Sequence, residues 1–223
     1  MKVCIDAGHG VETAGKCSPD RTYFEHEFNL DVANRTKAYL EASGIDVVMT
    51  RGNEHDITLS ERCKICNSSK ADILISIHTN AATNDGWHTA EGWQAYILAF
   101  GGNAEVLANK IKSFAIPMLG CKDRGIFKDN LAMVRDTKCP AVIIEHGFHT
   151  NRKEVEALKR SDYRQICAKT NAMGICAYFG VKFVEYDPPL SEQEKAQKWA
   201  IENKISDGTN PDNTVTRSEL WTM

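Results

Sequence analysis

Three polar residues stand directly after apolar, strand-like runs. His9 follows KVCID in the turn AGHG, His78 closes DILISIH, and Glu145 ends AVIIE. In open α/β sheets ligands gather beyond the carboxyl ends of the strands, so these three residues are expected on one edge. Two imidazoles and a carboxylate there suit a metal, because zinc accepts neutral histidine nitrogen together with carboxylate oxygen. A further ligand is expected from Glu25 or Glu27 in YFEHEFNL, at the start of a helical stretch where negative charge is favoured. An unpaired buried carboxylate is costly, so Glu145 is expected to have a partner. His146 is the rival ligand, but strand alternation turns it away from Glu145's side. His26, His55, His88 and His149 read as surface or supporting residues.

The elements that position these groups alternate between strand and helix. Lys2–Asp6, 45–50, 72–78, 92–99, 131–135 and 141–147 read as strands, short and apolar or β-branched. Helices are expected over about 24–43, with Phe28, Val32, Tyr39 and Leu40 near one face and Gly44 as the stop, and around Leu59, Cys63 and Cys66. Others follow at 103–118, with a late break at Pro117, and at 153–159 and 161–179. This alternation predicts an α/β fold: a mostly parallel twisted sheet, helices on both faces, and a small helical C-terminal appendage.

The 223 residues suit one full domain and a small addition. A net charge of −3 gives no reason to expect nucleic acid or an anionic membrane as partner. No run of 18 apolar residues exists to cross a bilayer. The opening MKVCIDAGHG lacks the apolar core of a leader, so cytoplasmic synthesis with reduced cysteines is expected. Cys63-Lys-Ile-Cys66 matches C-x-x-C but lies in an amphipathic pattern, and no second such pair stands at zinc-finger spacing. Charge places a boundary near 181–190: residues 1–180 hold 22 basic and 22 acidic side chains, residues 181–223 hold 5 and 8. The expected organisation is a domain over 1–180, a linker over 181–190 and a helical module over 191–223.

IDAGHG (5–10), EHEFNLDVA (25–33), VVMTR (47–51), LSERC (59–63), ADILISIHTNAA (71–82) and PAVIIEHGFHTN (140–151) occur in that order. Through these motifs the sequence resembles the zinc-dependent N-acetylmuramoyl-L-alanine amidases of the amidase-3 type. The resemblance implies one catalytic zinc on His9, Glu25 and His78; Glu25 rather than Glu27 is selected by counting back from Asn29 and Leu30. It also implies that Glu145 is the catalytic carboxylate, and that the bond cut joins N-acetylmuramic acid to L-alanine in peptidoglycan. Asn80, two residues beyond His78, is expected at the substrate's edge. The chain departs from the family pattern at Ala7, usually Pro, and at His146 and His149, where small or aliphatic residues are commoner.

The tail, with Trp199-Ala, ISDG, NPD and VTRSE, resembles the core of an S-layer-homology module. A wall anchor competes there with a packing cap or a homo-oligomerisation hairpin. Release of a leaderless chain to act on the wall, in the manner of a phage endolysin, is the expected delivery. A metallopeptidase cutting the stem peptide and a wall-binding protein without turnover are the alternative functions.

Overall fold

A computed structural model describes residues 1–83, 86–186 and 199–200. Met1–Tyr186 form one unit of six strands and six helices. The strands are β1 (Lys2–Ala7), β2 (Asp46–Met49), β3 (Ile73–Asn80), β4 (Trp93–Ile97), β5 (Asp123–Lys128) and β6 (Ala141–Phe148). The helices are α1 (Glu25–Ala42), α2 (Leu59–Ser69), α3 (Asn103–Leu119), α4 (Ala132–Arg135), α5 (Arg152–Lys159) and α6 (Ser161–Phe179). Strands and helices alternate, except that β4 follows β3 and α6 follows α5 directly. They build the expected α/β architecture, with strand order β2-β1-β3-β6-β4-β5. Every pairing is parallel except β4 with β6. No helix among the described residues is long and apolar enough to cross a membrane.

Side-chain alternation divides the interior into two layers. Val3, Ile5, Ile73, Ile75, Ile77, Val142 and Ile144 pack against α1, α3 and α6. Cys4, Leu74, Ala141 and Ile143 face the opposite way, against Cys63 and Cys66 of α2 and Met133 and Val134 of α4. The same parity sends Asp6, Ser76, His78 and Glu145 to the α2–α4 face. Register then aligns them: Asp6 lies opposite Ser76, and His78 opposite Glu145.

Three sequence expectations change. The expected strand over 131–135 is instead the short helix α4 with Leu131 as its N-cap, because Leu131, Met133 and Val134 satisfy one helical turn as well as a strand. The last sheet position belongs instead to β5, an edge strand with a largely exposed pattern and Gly125 within it. Pro117 does not end α3, which continues to Leu119. Pro117 and Ser113, whose carbonyl loses its intrahelical partner, both face solvent. The tail motifs lie outside the described residues, apart from Trp199 and Ala200.

The contact between α3 and α6 depends on Gly174. A Cβ there would lie 2.4 Å from Ile111 Cα, a backbone atom that a rotamer change cannot move. Gly174→Ala is therefore expected to destabilise the protein despite alanine's better helix propensity, since overpacking typically costs about 1–3 kcal/mol. Thermal unfolding should show a Tm lower by several degrees; an unchanged or raised Tm would show that the two helices can part.

Candidate functional site

Four segments converge at the carboxyl ends of β1 and β3. The first is the turn after β1, where His9 takes a left-handed φ of 58°, an uncommon conformation for a side-chain-bearing residue. That turn folds back over β3, bringing the His9 and His78 rings edge-to-face with centroids 4.9 Å apart. Only glycine fits between them, since a Cβ on Gly8 would sit 2.1 Å from the His78 ring. The third segment is the start of α1. The Lys16 carbonyl accepts from the Glu25 N–H at 2.9 Å, fixing where the helix begins and so where the Glu25 side chain enters. The fourth is β6, which carries Glu145 beside His78.

Glu25 is the hub. Its Oε1 lies 2.9 Å from His78 Nδ1 and 3.6 Å from His9 Nε2, and accepts from the Thr79 N–H at 3.1 Å and Asn29 Nδ2 at 3.3 Å. Its Oε2 lies 3.7 Å from His149 Nδ1. Burial opposes the Glu25 charge, yet the His78 hydrogen bond and the His78, His9 and His149 rings hold its pKa down at about 2. Burial lowers His9 to about 4, against the pull of Glu25, so this ring presents a neutral nitrogen at pH 7. His78 also loses hydration, but Glu25 outweighs that effect and raises its pKa.

One ligand atom from each of His9, Glu25 and His78 lies within 4.8 Å of the other two. Two nitrogens and one carboxylate oxygen converging there match the donor preference of a catalytic zinc. Glu145 is half-buried on the neighbouring strand, and its Oε2 is shut off from solvent with no hydrogen-bond partner. The group facing its charge is His78, directly across the β3–β6 pairing. Burial raises the Glu145 pKa to about 7; His78 opposes the rise, and the Glu25 charge adds to it.

Behind the His9 turn lies a buried ionic network that the sequence reading missed. Arg62 of α2 pairs with Asp6 at 2.8 Å and Asp56 at 2.5 Å, and donates to the carbonyls of Ala7 and His9. Arg51 donates to the carbonyls of Ala7, Gly8 and His26. Thr50 and Ser76 hydroxyls complete the Asp6 carboxylate. The chain's carbonyls at 7–9 thus point at guanidinium groups, which leaves the His9 ring free to face Glu25.

Other sequence candidates lie elsewhere. Glu27 is exposed on the far side of the first turn of α1. His146 is buried on the opposite sheet face, with Nε2 3.2 Å from Asn171. Cys63 and Cys66 face the core from α2, with Cys66 Sγ 3.8 Å from Cys139 Sγ. Asn80 stands at the end of β3, half-buried, its Oδ1 accepting from the Ala81 N–H at 2.7 Å.

The amidase-3 family, described as N-acetylmuramoyl-L-alanine amidase, matches residues 3–177. The chain belongs to this family. It is 32% identical to the uncharacterized protein YqiI of Bacillus subtilis over 79% of its own length and 84% of that protein's. It is 31% identical to the N-acetylmuramoyl-L-alanine amidase LytC of the same organism, covering 79% of this chain and 35% of LytC. The catalytic domain of the amidase CwlV from Bacillus (Paenibacillus) polymyxa var. colistinus superposes with a TM-score of 0.75 at 32% identity, covering 81% of this chain and 99% of that domain. The amidase-3 match reaches into every strand and brackets all four residues of the convergent site.

Proposed function

We propose that this amidase-3 chain is a zinc-dependent N-acetylmuramoyl-L-alanine amidase that cleaves peptidoglycan. The observation that carries the reading is the His9–Glu25–His78 cluster, built around the buried Glu25, with Glu145 on the adjoining strand, one of whose carboxylate oxygens is buried without a hydrogen-bond partner. His9, Glu25 and His78 would hold the metal. When bound, zinc supplies Lewis-acid polarisation of the scissile carbonyl and a lowered pKa for the attacking water.

Glu145 acts as the proton carrier. Its carboxylate accepts a proton from the water as the new C–O bond forms, then delivers that proton to the departing nitrogen as the C–N bond breaks. The products are the lactyl carboxylate of the sugar and a peptide with a free L-alanine amine. Thr79 N–H and Asn29 orient Glu25 from behind, the kind of support that fixes ligand direction in metal sites. Asn80, at the mouth of β3, contacts the substrate's edge. Residues 191–223, by their resemblance to S-layer-homology modules, tether the enzyme to wall polymer.

Digestion of purified walls followed by mass analysis tests the reading. Released stem peptides should begin with L-alanine, and metal analysis of the purified protein should find one zinc per chain. Cuts within the peptide would instead mean a metallopeptidase.

A further inference from the structure

The interior layer between the sheet and α2 is rich in sulfur. Cys4 of β1, Cys63 and Cys66 of α2 and Met133 of α4 pack there, with Cys139 at the edge of the layer just before β6. All eight cysteines are free thiols. Cys63 Sγ engages α4, lying 3.7 Å from the Ala132 carbonyl oxygen and 3.8 Å from Met133 Sδ. Cys66 instead meets Cys139, 73 residues further along the chain, with the two sulfurs 3.8 Å apart.

That contact is held from both sides. The Asn67 side chain, next to Cys66, donates to the Asp136 carbonyl at 3.0 Å and accepts from the Lys138 N–H at 2.8 Å. The Pro140 carbonyl, next to Cys139, accepts from the Leu74 N–H of β3 at 2.9 Å. A bond between the sulfurs needs each to move by only about 1 Å. Access differs along the cluster. Cys4 and Cys66 are 0% and 1% exposed, whereas Cys139 is half-buried. A groove of about 720 Å³ between α2 and α4 is lined by Asn67 and Lys138, the residues beside the pair.

We propose that Cys66 and Cys139 are a dithiol that closes to a disulfide on meeting a small-molecule disulfide, stapling α2 to the base of β6. The Cys139 thiolate attacks one sulfur of the reagent, forming a mixed disulfide and releasing one thiol. The Cys66 thiolate then attacks the Cys139 sulfur, forms the intramolecular bond and expels the second thiol. The pair is oxidised by two electrons, and the reagent is reduced to two thiols that take up the two protons. Contact with Cys139 favours the Cys66 thiolate, but a hydrogen bond with Cys4 and burial outweigh it and push the Cys66 pKa up to about 12. The Cys66 hydrogen bond and burial raise Cys139 as well. Closure is therefore slow, on the order of hours without a catalyst. The open form gains nothing from a stabilised thiolate, the feature that keeps strongly oxidising dithiols reduced, so the closed form prevails wherever small disulfides do. None of this depends on the amidase reading.

The test uses full-length protein, fully reduced and then incubated with oxidised glutathione. Non-reducing peptide mapping should join the Cys66 and Cys139 peptides. The bridge closes a loop of 73 residues, so oxidation should raise Tm by about 5–10 °C, and dithiothreitol should reverse the rise. Cys139→Ser should abolish both the bridge and the rise in Tm. Cys66→Ala should instead carry glutathione on Cys139, trapping the mixed disulfide. A mapped Cys4–Cys66 or Cys63–Cys66 bridge, Cys66 and Cys139 unlinked in the oxidised wild type, or an oxidised Tm equal to the reduced one would each overturn the inference.

Discussion

Glu145→Gln should lower kcat on purified walls by about 10³-fold, within the range for loss of a general base, while zinc content stays at one per chain. The substitution keeps the shape of the side chain and removes its ability to carry a proton. Glu145 is separate from the proposed ligand cluster of His9, Glu25 and His78, so the metal should remain. Burial already keeps this carboxyl near pH 7, at about 7, a value suited to taking and returning a proton under neutral conditions. Wall lysis measured by turbidity, with metal analysis on the same preparation, checks both halves. Unchanged lysis would mean that the wall is bound or cleaved without Glu145; lost zinc would make Glu145 a ligand.

Asp6→Asn should cost about 1.5–3 kcal/mol of folding stability, the scale of hydrogen bonds to a charged group, because Arg62 keeps Asp56 while it and the Thr50 and Ser76 hydroxyls lose the Asp6 carboxylate. Asp6 is 1% exposed and Arg62 2%, so neither charge can turn to water when its partner is lost. Against the about 5–15 kcal/mol that holds a typical domain together, that is a large fraction. Adding Arg62→Met to Asp6→Asn should deepen the loss, because Asp56 and the carbonyls of Ala7 and His9 then lose the guanidinium as well. The pair also sets an acid limit. Despite burial, Arg62 with Ser76 and Thr50 holds the Asp6 pKa below its ordinary 3.8. The stability that this depression contributes is fully present above the unfolded value of about 3.9 and is lost as pH falls through the lower folded value. Urea unfolding between pH 6 and 3 should show wild-type stability falling at the acid end, and the double variant should lack Asp6's share of that fall.

The parts of the fold legible in the sequence are those where one physical signal dominates. β1, β3 and β6 are continuous apolar runs because both faces are covered by helices. The same runs make a strand-terminal His or Glu conspicuous, which is why His9, His78 and Glu145 could be picked out. Glu25 could not be separated from Glu27 by helix position alone, and it took the motif spacing of related sequences to choose it. β5 and α4 were illegible for a different reason: each is short, and its identity is decided by neighbours rather than by its own pattern. The Asp6–Arg62–Arg51 network was hidden because single charges in a periodic sequence look like a solvated face. One hint existed. Arg62 precedes Cys66 by four residues and so shares the buried stripe of α2, where a solvated arginine has no place. His149 was similarly opaque, since its tie to Thr79 spans 70 residues of chain.

The order of the strands also governs when the site comes into being. β1, α1 and β3, which carry His9, Glu25 and His78, are all encoded before residue 81, whereas β6 begins at Ala141. A chain emerging amino terminus first can pair β1 with β3 long before the strand bearing Glu145 exists. The β3–β6 pairing closes a loop of more than sixty residues, and such distant pairings form slowly. The proposed ligand cluster is thus an early, local product of folding, and the proposed proton carrier arrives with β6, the last strand made and the one that joins β4 and β5 to the rest of the sheet. Until β6 docks, the growing chain has the residues proposed to hold the metal and lacks the carboxylate proposed to use it.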